Sequence, residues 1–162
     1  QGVELDADRV VGNADVVSWL TTHGTLGCSA YQLGVLERAL ELTAEYARER
    51  EQFDRPIGSF QAVQHRLVEM WSDAEFACAS VVNAVVKQSE GDDKAAHLAV
   101  LAAKARCGDA ATSICRRAVH LHGAMGFTDE HDIGLYLKRA MWLSVWLGNE
   151  AHHRERYAAL MG

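Results

Sequence analysis

Apolar residues recur at steps of three and four along most of this chain. The exception is the start. Val3-Glu4-Leu5-Asp6 alternates apolar and polar, and Arg9-Val10-Val11-Gly12 closes on a turn residue. Residues 1–13 are therefore expected to form a short extended lead-in, the end of a preceding β-domain or a linker. From Asp15 the period changes. Leu26, Ala30, Leu33, Leu36, Leu40, Ala44 and Ala47 mark a long helix running to about Glu51. Gly24 and Gly27 weaken its first third.

Asp54-Arg55-Pro56-Ile57-Gly58 is the first break, since Pro56 pushes Arg55 out of the helical region. Ser59 is the expected N-cap of a second helix, with Phe60, Val63, Leu67, Met70, Trp71, Ala74, Ala77, Val81 and Val85 inward. Glu90-Gly91-Asp92 ends it. Asp93 is expected to cap a third helix that faces inward with Ala95, Leu98, Ala102, Ala105, Ala111, Cys115 and Ala118. A loop spans His122 to His131. A fourth helix, roughly Ile133 to Leu160, is apolar on several sides and is expected to be buried on several sides. The pattern predicts an all-α domain over residues 14–162, an antiparallel four-helix bundle. Its surplus apolar surface predicts an oligomer.

The length of 162 residues suits one domain, and 49% apolar with 23% charged residues is a globular balance. A net charge of −6 argues against nucleic acid as a partner. No window reaches the roughly 18 uninterrupted apolar residues of a membrane span. Residues 1–10 lack a signal peptide's basic start and apolar run, and the chain does not open on Met. A cytoplasmic fragment of a longer chain is expected. Cys28, Cys78, Cys107 and Cys115 form no CxxC pair and read as free, mostly buried thiols.

Few residues suggest chemistry by themselves. A dimetal bundle needs two Glu-x-x-His motifs, and only Glu150-Ala151-His152-His153 is present. No metal site is expected, and the histidines read as surface or interface residues. No nucleophile elbow or Walker loop occurs. Arg50 and Phe53 stand where the first helix ends. There a guanidinium fork suits a diphosphate and an aromatic ring can cover a neighbouring ring, although capping charges on a solvated face explain the same residues.

Two segments together carry a resemblance. Arg50-Glu51-Gln52-Phe53-Asp54-Arg55-Pro56-Ile57-Gly58-Ser59-Phe60-Gln61-Ala62-Val63-Gln64-His65 resembles the acyl-CoA dehydrogenase motif R-x-Q-F-G-x-P-I-x-x-F-Q-x-x-Q-H. His120-Leu121-His122-Gly123-Ala124-Met125-Gly126-Phe127-Thr128, followed by Glu130-His131, resembles that family's Q-x-x-G-G-x-G-[FY]-T-x-E-[HY]. The resemblance implies the C-terminal helical domain of a dimer of dimers, with FAD lying across a subunit interface. It implies that Arg50 and Phe53 reach the neighbouring subunit's FAD, that Ile57 and Phe60 lie along it, and that His120 and Gly123 approach it. The implied reaction removes an α-proton of an acyl-CoA with a glutamate base and passes a hydride to FAD, giving a 2-enoyl-CoA. A carboxylate is needed because the α-proton becomes acidic only as the thioester carbonyl is polarised.

The base is where this chain departs. The family places a glutamate either late in the domain, where Leu147 stands, or on the first helix, where Gly24 stands. Neither residue is acidic. Glu150 is nearby, but on a continuous helix it points roughly 60° away and one turn off. No catalytic residue is therefore assigned to this chain. One reading is a subunit that completes the FAD site of a base-bearing homologue in a heteromeric enzyme, as some actinobacterial members are built. Another is a relative with altered flavin chemistry. A third is an assembly module without flavin.

Overall fold

A computed structural model describes residues 12–162, so most of the expected lead-in lies outside the described residues. The rest is helical. Helix α1 spans Ala14–Glu49, α2 Gln61–Ser89 and α3 Asp93–His122. The final fifth divides into α4, Ile133–Val145, and α5, Glu150–Met161. Between α1 and α2 lies a two-stranded hairpin, β1 (Glu51–Gln52) with β2 (Arg55–Pro56), then a 3-10 turn over Ile57–Ser59. A second 3-10 turn, Gly123–Phe127, follows α3. Among the described residues no helix is long and apolar enough to cross a membrane.

The caps explain where the helices start. The Asn13 side chain accepts from the Asp15 and Val16 amides, and Asn149 accepts from His152. For α3 the cap is Asp92, one residue before the expected Asp93; it accepts from Ala95 at 3.0 Å. Ser59 does not cap α2. Its hydroxyl turns back to the Pro56 carbonyl at 2.7 Å, and Phe60 takes the cap position without a side-chain bond.

Helix α3 is the centre and packs against α1, α2, α4 and α5. Its inward residues are small: Ala99, Ala103, Ala110, Ala111 and Ala118 are buried, while Ala102 faces out. Small side chains let the helix axes approach closely. On α2 the buried stripe is Met70, Ala74, Ala77, Val81 and Ala84. Trp71 and Val85, expected inward, fall one residue off that stripe and are more than half exposed.

On α1 the buried stripe includes Thr25, Ser29, Gln32 and Thr43. The three hydroxyls satisfy themselves by bonding carbonyls one turn back: Thr25 to Thr21, Ser29 to Thr25 and Thr43 to Ala39. Polar residues can thus face the core while Ala30 faces out. Helix α4 buries one side only, through Ile133, Ala140 and Leu143. Leu135, Met141, Trp142 and Val145, and Trp146 just past its end, stay exposed in the single chain, against the expectation of burial on several sides.

Candidate functional site

The two motif segments meet at one end of the bundle. Arg50 follows the last turn of α1, donating its amide to Tyr46 and accepting from Ile57 through its carbonyl, both at 2.8 Å. Its guanidinium is exposed and has no ion-pair partner among the described residues. Phe53 and Asp54 form the hairpin tip with φ of 55° and 62°, the left-handed pair a two-residue turn requires. Gly or Asn normally fills such positions. A phenylalanine there costs about 1–2 kcal/mol, and its ring is 86% exposed. Phe60 meets it edge-on at 6.1 Å and carries the Arg55 guanidinium 4.0 Å above its own ring. Ile57 is half-buried beside α1.

His120 is exposed on the last turn of α3, and Gly123 breaks that helix with φ 61° and ψ −135°. Nothing lies within 4 Å of where a Cβ at Gly123 would stand, so backbone is left open there. The segments are joined from behind. Tyr46 stacks on His122 at 4.3 Å and donates its hydroxyl to the His122 carbonyl at 3.4 Å. His131 packs on His122 at 4.3 Å. His122 is buried, not a surface residue, and burial holds it below the usual histidine range.

The two positions that the resemblance assigns to a base also meet, away from this cluster. A Cβ built on Gly24 would stand 3.4 Å from the Leu147 Cδ1. Gly24 and Leu147 therefore face one spot, from α1 and from the link between α4 and α5. Leu147 is not helical: its φ is 60° and that of Gly148 is 102°. The helical offset expected for Glu150 thus does not apply. Glu150 opens α5 and lines a groove with Asp73, Arg106 and Asp109, whereas Leu147 meets α1. From Gly24 to Arg50 runs about 39 Å of helix.

Two buried residues that sequence reasoning missed hold the α4–α5 link. Lys104 has no exposure, and its ammonium donates to the carbonyls of Leu143 at 3.0 Å, Ser144 at 3.3 Å and Gly148 at 3.1 Å. Burial lowers its pKa from the usual lysine value, while the nearby Cys28, Cys107 and Glu150 oppose that shift. The cation also sits against the negative end of α4. His153 is 1% exposed and bonds the Leu147 carbonyl at 3.0 Å through Nε2. A carbonyl only accepts, so Nε2 carries the proton and buried Nδ1 is a bare nitrogen with no partner among the described residues. Burial, then the Lys104 charge, pushes His153 down to about 4. One signal for Lys104 was in the sequence: it falls on the stripe of Leu101, Gly108 and Ala111, where a solvated lysine has no place.

Residues 14–162 match the sequence profile of the acyl-CoA dehydrogenase C-terminal domain. The chain belongs to the acyl-CoA dehydrogenase family. It is 40% identical over 153 residues to acyl-CoA dehydrogenase FadE27 of Mycobacterium tuberculosis, covering 91% of this chain and 41% of that protein. Among solved structures, the ChsE4-ChsE5 complex from Mycobacterium tuberculosis matches with a TM-score of 0.92 and 38% identity over 99% of this chain and 43% of that one. The steroid acyl-CoA dehydrogenase Tcur3481-Tcur3483, as a G363A variant, matches at a TM-score of 0.84 and 33% identity, over 88% of this chain and 39% of that one. The chain spans about two fifths of the length of these relatives.

Proposed function

We propose that this chain is the C-terminal domain of a FAD-dependent acyl-CoA dehydrogenase subunit that lacks its own base and works beside a base-bearing homologue. The meeting of Gly24 and Leu147 carries the reading. Both positions that the resemblance assigns to a base converge on one spot, and neither side chain there can accept a proton. α-Proton abstraction by a positioned base contributes about 10²–10⁴-fold, so the partner must hold the carboxylate.

The residues at the other end fit an interface cofactor. Arg50 offers a planar fork, unpaired among the described residues, to a diphosphate, Phe53 an exposed ring, and Gly123 open backbone. The distance between the two ends supports division of labour between chains: the Arg50 end completes a neighbour's cofactor site, and the Gly24 end faces this chain's own acyl site. When bound, FAD supplies the hydride acceptor. Ile57 and Phe60, which follow the hairpin, would lie along FAD, and His120 would approach it from the end of α3. Exposed apolar residues on α2 and α4, including Val68, Trp71, Val82 and Trp142, support assembly as a dimer of dimers. Four free cysteines support a reducing cytoplasm.

The test uses the full-length chain purified with its homologous partner. A yellow assembly that turns over acyl-CoA is expected. Arg50→Ala should lower FAD occupancy with the helices intact, and Glu150→Gln should leave turnover nearly unchanged. Replacing the partner's base should abolish it. A large fall in flavin reduction for Glu150→Gln, with FAD retained, would show that this chain carries the base. A colourless assembly would leave it an assembly module.

A further inference from the structure

The link from Trp146 to Asn149 is short, and it is bonded from both sides of Leu147. Lys104, from α3, reaches past the last carbonyls of α4 to the Gly148 carbonyl at 3.1 Å. His153, from the first turn of α5, bonds the Leu147 carbonyl at 3.0 Å. Consecutive peptide oxygens are thus taken by two side chains from two different helices. Gly148 leaves no slack beneath them, since a Cβ there would stand 2.6 Å from the His152 ring and 3.0 Å from His153 Nε2.

A helix end needs no such arrangement. Water or a surface lysine satisfies the last carbonyls of an exposed helix. Burying an ammonium is unfavourable unless its hydrogen bonds are made, and all three are made here to main chain. Leu147, meanwhile, keeps a left-handed φ of 60°, which persists only where the surroundings over-determine it. What this enforced backbone accomplishes is visible at the side chain, whose Cδ1 is turned onto Gly24.

We propose that Lys104 and His153 are positioning residues that together hold the side chain of residue 147 against Gly24, whatever that side chain is. The inference rests on reading Gly24 and Leu147 as the two base positions. The frame that would deliver a carboxylate is then intact in this chain, and only the carboxylate is missing.

The experiment has two arms, both in the full-length chain purified with its partner. In the first, Gly24→Cys and Leu147→Cys are combined and treated with dibromobimane, which fluoresces strongly on bridging two thiols. Gly24→Cys alone and Leu147→Cys alone give the background from the native thiols, including Cys28 one turn from Gly24. Bridging is expected with Lys104 present, is expected to survive Lys104→Arg, and is expected to fall to background in Lys104→Met at unchanged helical content. Should Lys104→Met fail to fold, His153→Leu leaves the ammonium in place and carries the same test. Equal bridging in the Met and Leu variants would overturn the proposal. In the second arm, Leu147→Glu should let an acyl-CoA bleach the flavin at this chain's own site. Adding Lys104→Met should then lower the bleaching rate constant about a hundredfold without changing the half-saturating acyl-CoA concentration. An unchanged rate constant sinks the positioning role. If bridging behaves as expected and Leu147→Glu bleaches no flavin, the base-position reading falls and the clamp stands.

Discussion

His153 makes this domain acid-sensitive by an amount that can be worked out. Its pKa moves from 6.5 in the unfolded chain to about 4 in the folded one. Above pH 6.5 both states are neutral and the stabilisation is complete. As pH falls below that, the unfolded chain takes up a proton that the folded chain refuses, and stability drops until about pH 4. The gap, at about 1.4 kcal/mol per unit, bounds the loss at about 3 kcal/mol. The geometry agrees. A proton on Nδ1 would be a buried donor with no acceptor, which costs about 1–3 kcal/mol. The comparison variant is His153→Gln, whose amide still donates to the Leu147 carbonyl and never titrates. Urea unfolding followed by far-ultraviolet circular dichroism, at about pH 7.5, 5.5 and 4.5, measures both proteins. His97 and His122, also held low by burial, are common to both and cancel in the difference. Wild type should lose about 2.5 kcal/mol more than the variant across the window, which stops short of the bound because it ends above the folded-state value. Parallel losses would refute the argument.

Other substitutions test separate parts of the structure. Asp54→Gly should raise the unfolding midpoint, stabilising by about 1 kcal/mol, because φ at that position is 62°; flavin content should not change. Gly126→Ala should destabilise by about 1–3 kcal/mol in the same unfolding assay, since its Cβ would stand 2.6 Å from the Val119 carbonyl oxygen. In the folded chain near pH 8, a thiol reagent should modify Cys78 first. Burial pushes Cys107 and Cys115 up to about 12 and raises Cys28 as well, and mass spectrometry of the labelled peptides reads the order.

The long helices were legible because their apolar spacing is regular and their ends carry Asn, Asp, Gly and Pro. The split between α4 and α5 was not. The apolar run from Met141 to Leu147 suggested continuity and outweighed Gly148-Asn149, although Asn149 is a good N-cap. The inward face of α1 was misjudged for a related reason: Thr25, Ser29 and Thr43 look like surface residues until their bonds to their own helix are counted. At the functional end, resemblance pointed to Arg50, Phe53 and Gly123, and residue type alone offered only capping charges. The partners of Lys104 and His153 are carbonyls, which leave no trace in residue identity; only the place of Lys104 on the stripe of Leu101, Gly108 and Ala111 signalled it. The meeting of Gly24 with Leu147 needed three dimensions, since they come from opposite ends of the domain.

Helix α1 carries the Gly24 contact near one end and Arg50 at the other, without a break between them. That makes it a ruler with a phase. Adding one residue between those positions would shift the ends apart by about 1.5 Å and rotate them by about 100°. Either the hairpin would turn away from its present direction or Gly24 would leave Leu147. Seven residues is the smallest change that restores the phase to within about 20°, and it does so at a different length. Insertions and deletions in descendants of this domain should therefore collect in the α2–α3 turn at Glu90–Asp92, and the interval from Gly24 to Arg50 should keep its length.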